Sequence, residues 1–427
     1  MSKHQRFFLA KASVIVAFLL HVFIANAQFG PPLPPLPPLV ISEFRLRGPA
    51  GPLDEFIEIS NNSNKAHTVA AAIGLGYALV GSDGLARCVI PNGTVIPARG
   101  HFLCVNEGGY SLGSYPAGDG TARGDVNYIR NIPDNAGIAL FNSSNAHGFT
   151  PANRIDAVGS NTEANVLYKE GTGYPALTPF SVNFSLSRDL CGKDATIASL
   201  FTCTTGGFAI DTNDNADDFV CVDTNGTSLG AGQHLGAPGP ENLSSPVYRG
   251  PGTEIARTLL DPLANLSSVP NRLRDSTPDL FVNATFGKVA FRRTFTNNSN
   301  FPITHLRLRF IDLTTFPAPG GIADLRVISS ADRYVTTNNG LRLVRGTTLD
   351  EPPLQPNGGG LNTSISTPAV STTEPLLPGA SIDLRFDFGV QHTGAFRFAV
   401  VIETLPARRS NVWVVSGDTE TRNDIEE

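Results

Sequence analysis

Three acidic residues in the stretch LDEFIEISNNSN (53–64), Asp54, Glu55 and Glu58, are close enough in sequence for acid–base chemistry or metal binding. Two carboxyl groups act as general acid and base only when both point into one cleft. The residue pattern here predicts a β-strand, in which successive side chains point to opposite faces. We therefore expect Glu55 and Glu58 on different faces, with Glu58 toward solvent. We also expect the acidic side chains to be dispersed rather than gathered in a cavity.

The segment GYSLG (109–113) matches the G-x-S-x-G pattern of a hydrolase nucleophile, with Ser111 as the candidate nucleophile. That chemistry requires a sharp turn from a strand into a helix whose amino terminus supports the oxyanion. The residues that follow, SYPAGDGTARGD, contain too much Gly and Pro for such a helix. We interpret the segment as a glycine-rich loop.

Oxygen-bearing side chains alternate in the segment DTNDNADD (211–218), and this spacing is typical of loops that wrap calcium. The EF-hand form is not met, because Ala216 stands where Gly is needed and Val222 where a bidentate Glu is needed. The alternative is a loop whose Asn and Asp side chains bond their own backbone. Calcium is the one cofactor that the sequence suggests, and the candidate ligands are Asp211, Asn213, Asn215 and Asp217.

Other residues with potential chemistry are scattered. The histidines after residue 27 form neither HxH nor HExxH, so we expect exposed or partly packed side chains; they are His67, His101, His147, His234, His305 and His392. Residues 281–330 carry six basic and two acidic side chains, which favours either a polyanion-binding face or cross-strand charge pairing. The basic residues are Lys288, Arg292, Arg293, Arg307, Arg309 and Arg326.

The chain has five cysteines, and the pattern CVIPNGTVIPARGHFLC places an Asn92-Gly93 turn signal between Cys88 and Cys104. A chain that folds back at this turn would bring these two cysteines together, so we predict a disulfide between them. Any pairing among Cys191, Cys203 and Cys221 stays open. The sequence has no CxxC, which argues against a zinc or redox site.

Composition defines the broad class of protein. Of 427 residues, 41% are hydrophobic and 16% charged, which is enough apolar sequence for two ordinary domains. The 42 Gly and 32 Pro interrupt helical patterns and favour many short strands. A net charge of -6 argues against general nucleic-acid binding. We therefore predict an all-β protein of two antiparallel β-sandwich domains.

Changes in composition predict a domain plan. A basic start, an apolar run and Ala25-Asn26-Ala27 indicate a secretory signal peptide, and no later segment is apolar enough to span a membrane. GPPLPPLPPL predicts an extended linker. The predicted parts are a signal peptide (1–27), a Pro-rich linker (28–39), a first β-sandwich (40–243), a linker (244–258), a second β-sandwich (259–405) and a polar tail (406–427).

Strand signals are clearest in the second domain. In IDLRFDF (382–388) apolar residues alternate with Asp383, Arg385 and Asp387, which predicts one buried and one solvent-facing side. The same alternation occurs at 289–295, 306–310 and 395–403. This pattern is typical of a β-sandwich.

The first domain resembles the lamin tail domain family. The resemblance starts with ISE (41–43), DEFIEI (54–59) and the Asn61-Asn62 turn, and continues in order through 89–105, 137–145, 154–160, 185–189, 211–219 and 235–242. It implies an immunoglobulin-like β-sandwich that serves as an interaction or tethering module, as in exported bacterial members, and it carries over no catalytic residue. The signal peptide and the lack of a heptad rod argue against filament building and a nuclear location. The second domain resembles, less specifically, C-terminal β-sandwiches of large secreted bacterial proteins.

The sequence thus predicts a secreted, extracellular, non-enzymatic protein that binds an extracellular protein or polysaccharide. The alternatives are an extracellular hydrolase or nuclease and a calcium-stabilised adhesin. An enzyme would need Ser, His and acidic residues brought together from separate strands. The adhesin would need an oxygen cage around Asp211, Asn213 and Asn215.

Overall fold

A computed structural model describes residues 39–117, 120–178, 182–190, 208–226, 232–248, 254–350, 352 and 355–406. All of these residues belong to one compact unit. The predicted signal peptide lies outside the described residues, as do the Pro-rich linker except Leu39 and the polar tail except Pro406.

The described chain is all-β, as predicted. In its first part the strands are β1 (Leu39–Arg45), β2 (Phe56–Asn61), β3 (His67–Thr68), β4 (Gly76–Gly81), β5 (Ala86–Pro91), β6 (Val95–Ile96), β7 (His101–Asn106), β8 (Pro116–Ala117), β9 (Gly120–Thr121), β10 (Val126–Tyr128), β11 (Ile138–Phe141), β12 (Arg154–Val158), β13 (Phe184–Arg188), β14 (Phe219–Asp223) and β15 (His234–Leu235).

The second part continues the strand pattern. Its strands are β16 (Val247–Tyr248), β17 (Ile255–Leu259), β18 (Arg272–Asp275), β19 (Lys288–Asn297), β20 (Ile303–Leu313), β21 (Asp324–Ile328), β22 (Arg333–Thr337), β23 (Gly340–Val344), β24 (Thr348–Asp350), β25 (Ser364–Ser366), β26 (Ser381–His392) and β27 (Phe398–Pro406). Helical structure in the described residues is limited to single turns at Ala146–Gly148, Pro151–Asn153, Val166–Tyr168, Asn215–Asp218 and Leu280–Val282.

Four larger sheets form two groups. The N-terminal sheet pair consists of a seven-stranded sheet, β10-β7-β2-β1-β13-β14-β15, and a four-stranded sheet, β12-β11-β4-β5. The C-terminal sheet pair consists of β16-β27-β20-β25-β24 and β17-β19-β26-β21, with β18 also paired to β19. Most neighbours are antiparallel, but β10 pairs with β7 and β15 with β14 in parallel. Strand β16 lies inside the stretch predicted as a linker (244–258) and pairs with β27, and β17 begins in that stretch and pairs with β19.

Each sheet pair has its own apolar core. Ile41 and Ile57 of the seven-stranded sheet share one core with Leu79 and Leu140 of the four-stranded sheet. In the C-terminal pair, Phe291, Phe386 and Phe388 of one sheet pack in one core with Leu308 and Phe310 of the other. The alternating apolar residues predicted at 289–295, 306–310 and 382–388 therefore supply this second core.

The predicted solvent-facing side of strand 382–388 is wrong. Asp383, Arg385 and Asp387 are all buried. Their side is covered by neighbouring chain, since Arg342 of β23 forms an ion pair with Asp383 at 2.8 Å and Ser330 Oγ donates to the carbonyl of Arg385. Arg385 and Asp387 also pair with each other along the strand. The alternating charged residues on this strand therefore form a second packing face, which is polar and buried.

The disulfide between Cys88 and Cys104 is present and buried. It joins β5 of the four-stranded sheet to β7 of the seven-stranded sheet, with a Cα–Cα distance of 6.2 Å, and so links the two sheets of the N-terminal pair. Cys221 is buried in β14 and forms no disulfide with a described residue. Cys191 and Cys203 lie outside the described residues.

Candidate functional site

The three acids of the 53–64 stretch lie in three separate environments. Asp54 is ion-paired with Arg45, and Glu55 accepts hydrogen bonds from Asn106 Nδ2 and the Ile132 backbone N–H. Glu58 is only 3% exposed, so its predicted position toward solvent is wrong. Glu58 lies instead in a cluster of charged side chains that come from distant parts of the chain.

This cluster, the charged junction, contains side chains from both sheet pairs and is buried except for the partly exposed His101. It is the best candidate for a functional site among the described residues. Asp54, Glu55 and Glu58 are dispersed from one another, as expected, but Glu58 is gathered with acidic side chains from distant parts of the chain, which was not expected. The members of the charged junction are Glu43 (β1), Glu58 (β2), His101 (β7), Glu241 (after β15), Arg307 and Arg309 (β20) and Glu403 (β27).

His101 lies between two carboxylates. Its Nδ1 is 3.0 Å from Glu58 Oε1, and its Nε2 is 3.0 Å from Glu241 Oε2. Strand register explains the first contact: His101 pairs with Ser60, which shares a face of β2 with Glu58, so the two side chains are diagonal neighbours. Both contacts are hydrogen bonds when both ring nitrogens carry a proton, whereas a ring with one proton donates to only one of the two carboxylates.

Arg307 and Arg309 supply the positive charge from the C-terminal sheet pair. Because they alternate along β20, both side chains leave the same face, opposite Glu403 on the paired strand β27. Arg307 Nε is 2.5 Å and Arg309 Nε 3.0 Å from the Glu403 carboxylate, and both guanidinium groups also bind Glu241. Burial opposes ionisation of Glu403, yet these two arginines outweigh it and hold the pKa of Glu403 below its ordinary value.

Glu43 completes the acidic side of the junction. Its Oε1 accepts a hydrogen bond of 2.9 Å from the Gly239 backbone N–H. Burial, followed by the nearby charge of Glu58, raises the pKa of Glu43 to about 7. Glu43 therefore changes its protonation state close to neutral pH.

A cavity of about 70 Å³ adjoins the junction. It is large enough for a few water molecules, since one water needs roughly 10–15 Å³ by the same kind of measure. A cavity beside a histidine and several carboxylates can support proton transfer or hold a cation. Its lining includes Glu43, Glu58, His101, Glu241, Arg309 and Glu403.

The two sheet pairs are also joined by backbone hydrogen bonds next to the junction. The N–H of Leu361 donates to the carbonyl of Leu235 at 2.9 Å, and the N–H of Ala237 donates to the carbonyl of Leu361 at 3.1 Å. The Leu235 N–H donates to Phe316 at 2.7 Å. The segment around β15 belongs to the N-terminal sheet pair. Its backbone forms hydrogen bonds with the backbone of the C-terminal sheet pair.

The predicted calcium ligands do not converge on one point. Asp211 lies 3.5 Å from Arg188, whereas Asn213 and Asp217 are exposed. Asn215 is buried, and its amide oxygen already accepts the backbone N–H groups of Gly159 and Glu170. Asn215 thus bonds distant backbone, whereas Asp211 and Asp214 accept from the N–H groups two residues ahead, as the alternative interpretation expected. Calcium binding by the four side chains stays a prediction.

Asp211 instead belongs to a second acidic cluster with Asp156 and Glu170. The guanidinium of Arg188 contacts Asp156 at 2.8 Å and Asp218 at 2.9 Å, and it lies 3.8 Å from Glu170. Burial, together with the charges of Asp156 and Asp211, raises the pKa of Glu170 to about 9. Arg188 occupies the centre where a cation would bind, so we interpret this cluster as structural.

Ser111 of the GYSLG segment is bonded to the Asp54–Arg45 pair. Its Oγ donates to Asp54 Oδ2 at 2.9 Å and accepts from Arg45 Nη2 at 3.2 Å. Within the described chain no hydrogen bond joins it to a histidine, and no helix follows it up to Ala117. The geometry is that of a loop anchored on a buried ion pair.

The basic stretch at 281–330 is divided among separate partners. Lys288 is paired with Asp279, and Arg326 with Asp324, while Arg307 and Arg309 belong to the charged junction. Charge pairing therefore accounts for four of the six basic side chains, but only Arg307 and Arg309 pair across strands as the predicted alternative required. The stretch does not form a continuous basic face.

Comparison with family models, with characterised proteins and with solved structures finds no match to this chain. Among the described residues, no helix is both long enough and apolar enough to cross a membrane.

Proposed function

We propose that this chain is a secreted, non-enzymatic interaction or tethering protein. Its two sheet pairs correspond to two β-sandwich domains, the first immunoglobulin-like and similar to a lamin tail domain. The separate cores support two domains, and the charged junction and the backbone contacts at β15 support their action as one body. Such a protein presents surfaces at a fixed spacing to an extracellular protein or polysaccharide.

The observation that carries this proposal is a rigid loop that exposes large apolar side chains. Phe281 is 101% exposed and Leu280 73% exposed. Large exposed apolar groups that lie together are typical of interaction surfaces. Phe281 lies in the 279–284 loop, and its ring is fully exposed, so it adds no buried contact to the fold.

The 279–284 loop is held in shape by its own hydrogen bonds. The backbones of Asp279 and Ala284 bond each other at 2.9 and 3.0 Å, and the Asp279 carboxylate caps the helical turn at Leu280–Val282. Asn283 adopts the left-handed backbone conformation and donates its side-chain N–H to Pro356. A preformed loop loses little entropy when it binds, so an exposed aromatic ring on it is well suited to anchor a partner.

An array of extracellular proteins and polysaccharides tests this function. We expect the purified chain to bind a subset of the array, and Phe281→Ser to weaken that binding at least about tenfold, because buried aromatic anchors carry a large share of interface energy. The matched control is Leu75→Ser, which removes an 81% exposed leucine from the N-terminal sheet pair and should leave binding unchanged.

The same preparation is assayed with esterase, phosphatase and nuclease substrates, and we expect no turnover above the blank. Sustained turnover that Ser111→Ala or His101→Gln abolishes would contradict the proposal and favour the hydrolase alternative. Binding that is equally strong in Phe281→Ser would show that the 279–284 loop is not the interaction surface.

A further inference from the structure

We propose that the cavity at the charged junction is a binding site for one divalent transition-metal ion of the Zn²⁺ type, with His101 Nε2 and Glu241 Oε2 as protein ligands. This site is independent of the interaction function. One ligand atom each from Glu58, His101 and Glu241 lies within 4.8 Å of the others, and all three border the cavity. Water in the cavity fills the remaining coordination positions.

The roles of the two carboxylates differ. A histidine that binds a metal usually donates its other ring N–H to a carboxylate, which fixes the orientation of the ring. Glu58 is placed for that role: its Oε1 lies 3.0 Å from His101 Nδ1 and also accepts from Ser42 Oγ, and its Oε2 accepts from the Glu241 backbone N–H. Glu241 Oε2 lies at the other nitrogen, where the metal would replace the proton on Nε2.

The distances require only a small movement. Zinc bonds to nitrogen and carboxylate oxygen are about 2.0–2.2 Å, so a tetrahedral ion separates its ligands by roughly 3.3–3.5 Å. The present separation between His101 Nε2 and Glu241 Oε2 is 3.0 Å. Opening this contact by about half an ångström or less is sufficient. The His101 side chain keeps 15% exposure, which gives the ion a route to the site.

Charge also favours a divalent cation. With His101 neutral, the carboxylates of Glu58, Glu241 and Glu403 exceed the two guanidinium groups of the junction by one formal charge. Glu43 adds a second negative charge when it is ionised. Two further arginines border the cavity, but Arg188 is paired with Asp156 and Asp218, and Arg99 lies over the ring of Phe208. The imidazole ligand selects Zn²⁺ and similar ions over Ca²⁺ and Mg²⁺, which prefer oxygen ligands alone.

Zinc titration of the full chain tests the proposal. The protein is stripped with a chelator, its thiols are alkylated without reduction, and Zn²⁺ is titrated in competition with a chromophoric chelator. We expect one bound Zn²⁺ that excess Ca²⁺ does not displace. Glu241→Gln and His101→Gln should abolish this binding, and Glu58→Gln should weaken it roughly 10- to 100-fold. The control His147→Gln removes an exposed histidine and should bind like the wild type.

A second measurement needs no variant. Zn²⁺ should slow the modification of wild-type His101 by diethylpyrocarbonate, measured by peptide mass spectrometry, and leave modification of His147 unchanged. Stoichiometric binding that persists in folded His101→Gln would overturn the proposal. Failure of the wild type to bind Zn²⁺, or unchanged modification of His101, would overturn it as well and would leave His101 only as a contact between Glu58 and Glu241.

Discussion

Replacing Arg307 by Met lowers the free energy of unfolding by about 3–5 kcal/mol. This is the largest effect that we expect from a single substitution. Arg307 is 1% exposed and bridges Glu241 and Glu403. Without its guanidinium, two buried carboxylates lose a partner and keep the cost of their removal from water. Denaturant unfolding followed by circular dichroism measures the change.

The matched control for this prediction is Arg47→Met. Arg47 also pairs with a carboxylate, Asp134 at 2.8 Å, but its side chain is 31% exposed. Ion pairs of this kind contribute about 1 kcal/mol or less, because water solvates both charges. If Arg307→Met and Arg47→Met lower the free energy of unfolding equally, burial does not determine how much the ion pairs of the charged junction contribute to stability.

Glu55 should make the protein less stable as pH rises through the neutral range. Burial raises the pKa of Glu55 from 4.5 to about 7. A carboxyl group with a raised folded-state pKa binds its proton more tightly in the folded state, so its stabilising effect is complete below pH 4.5 and is lost between pH 4.5 and about 7. The shift corresponds to about 3 kcal/mol. Urea unfolding at pH 5 and pH 8 measures it.

Glu55→Gln isolates this contribution from that of other buried acids. Glutamine cannot ionise but can still accept the hydrogen bond from the Ile132 N–H. Burial raises the pKa of Asp125 to about 6. Asp125 therefore also lowers the stability as pH rises, equally in the wild type and in Glu55→Gln. We expect the loss of stability from pH 5 to pH 8 to be about 2.5 kcal/mol smaller in Glu55→Gln, because the unfolded carboxyl group is already mostly ionised at pH 5. Identical pH profiles would rule out a role for Glu55.

Local sequence patterns predicted the strands well. Alternation at 382–388 and 306–310 placed β26 and β20 correctly and identified the apolar residues that fill the second core. The turn signal at Asn92-Gly93 led to the Cys88–Cys104 disulfide. These features depend on residues close in sequence and on the period of two that the extended backbone imposes.

Burial of the polar faces could not be predicted in the same way. Alternation shows which residues share a face of β26 but not whether another segment covers the polar face, and here β23 covers it. The same reasoning placed Glu58 toward solvent, although the segment containing Glu241 packs over it. Both errors come from contacts between residues that are far apart in the chain.

One signal for the charged junction was present in the sequence. Arg307 and Arg309 alternate with Leu306, Leu308 and Phe310, so both arginines must leave the same face of one strand. Two arginines side by side on a strand need acidic partners if that face is buried. Their partners Glu241 and Glu403 lie 66 and 96 residues from Arg307, and no local pattern links them.

Differential scanning calorimetry of the whole chain tests most directly whether the two sheet pairs act as one body. If the charged junction couples them, the wild type unfolds in a single transition whose calorimetric and van't Hoff enthalpies agree. Arg307→Met should then separate this transition into two. Two independent transitions in the wild type, unchanged by Arg307→Met, would contradict the account.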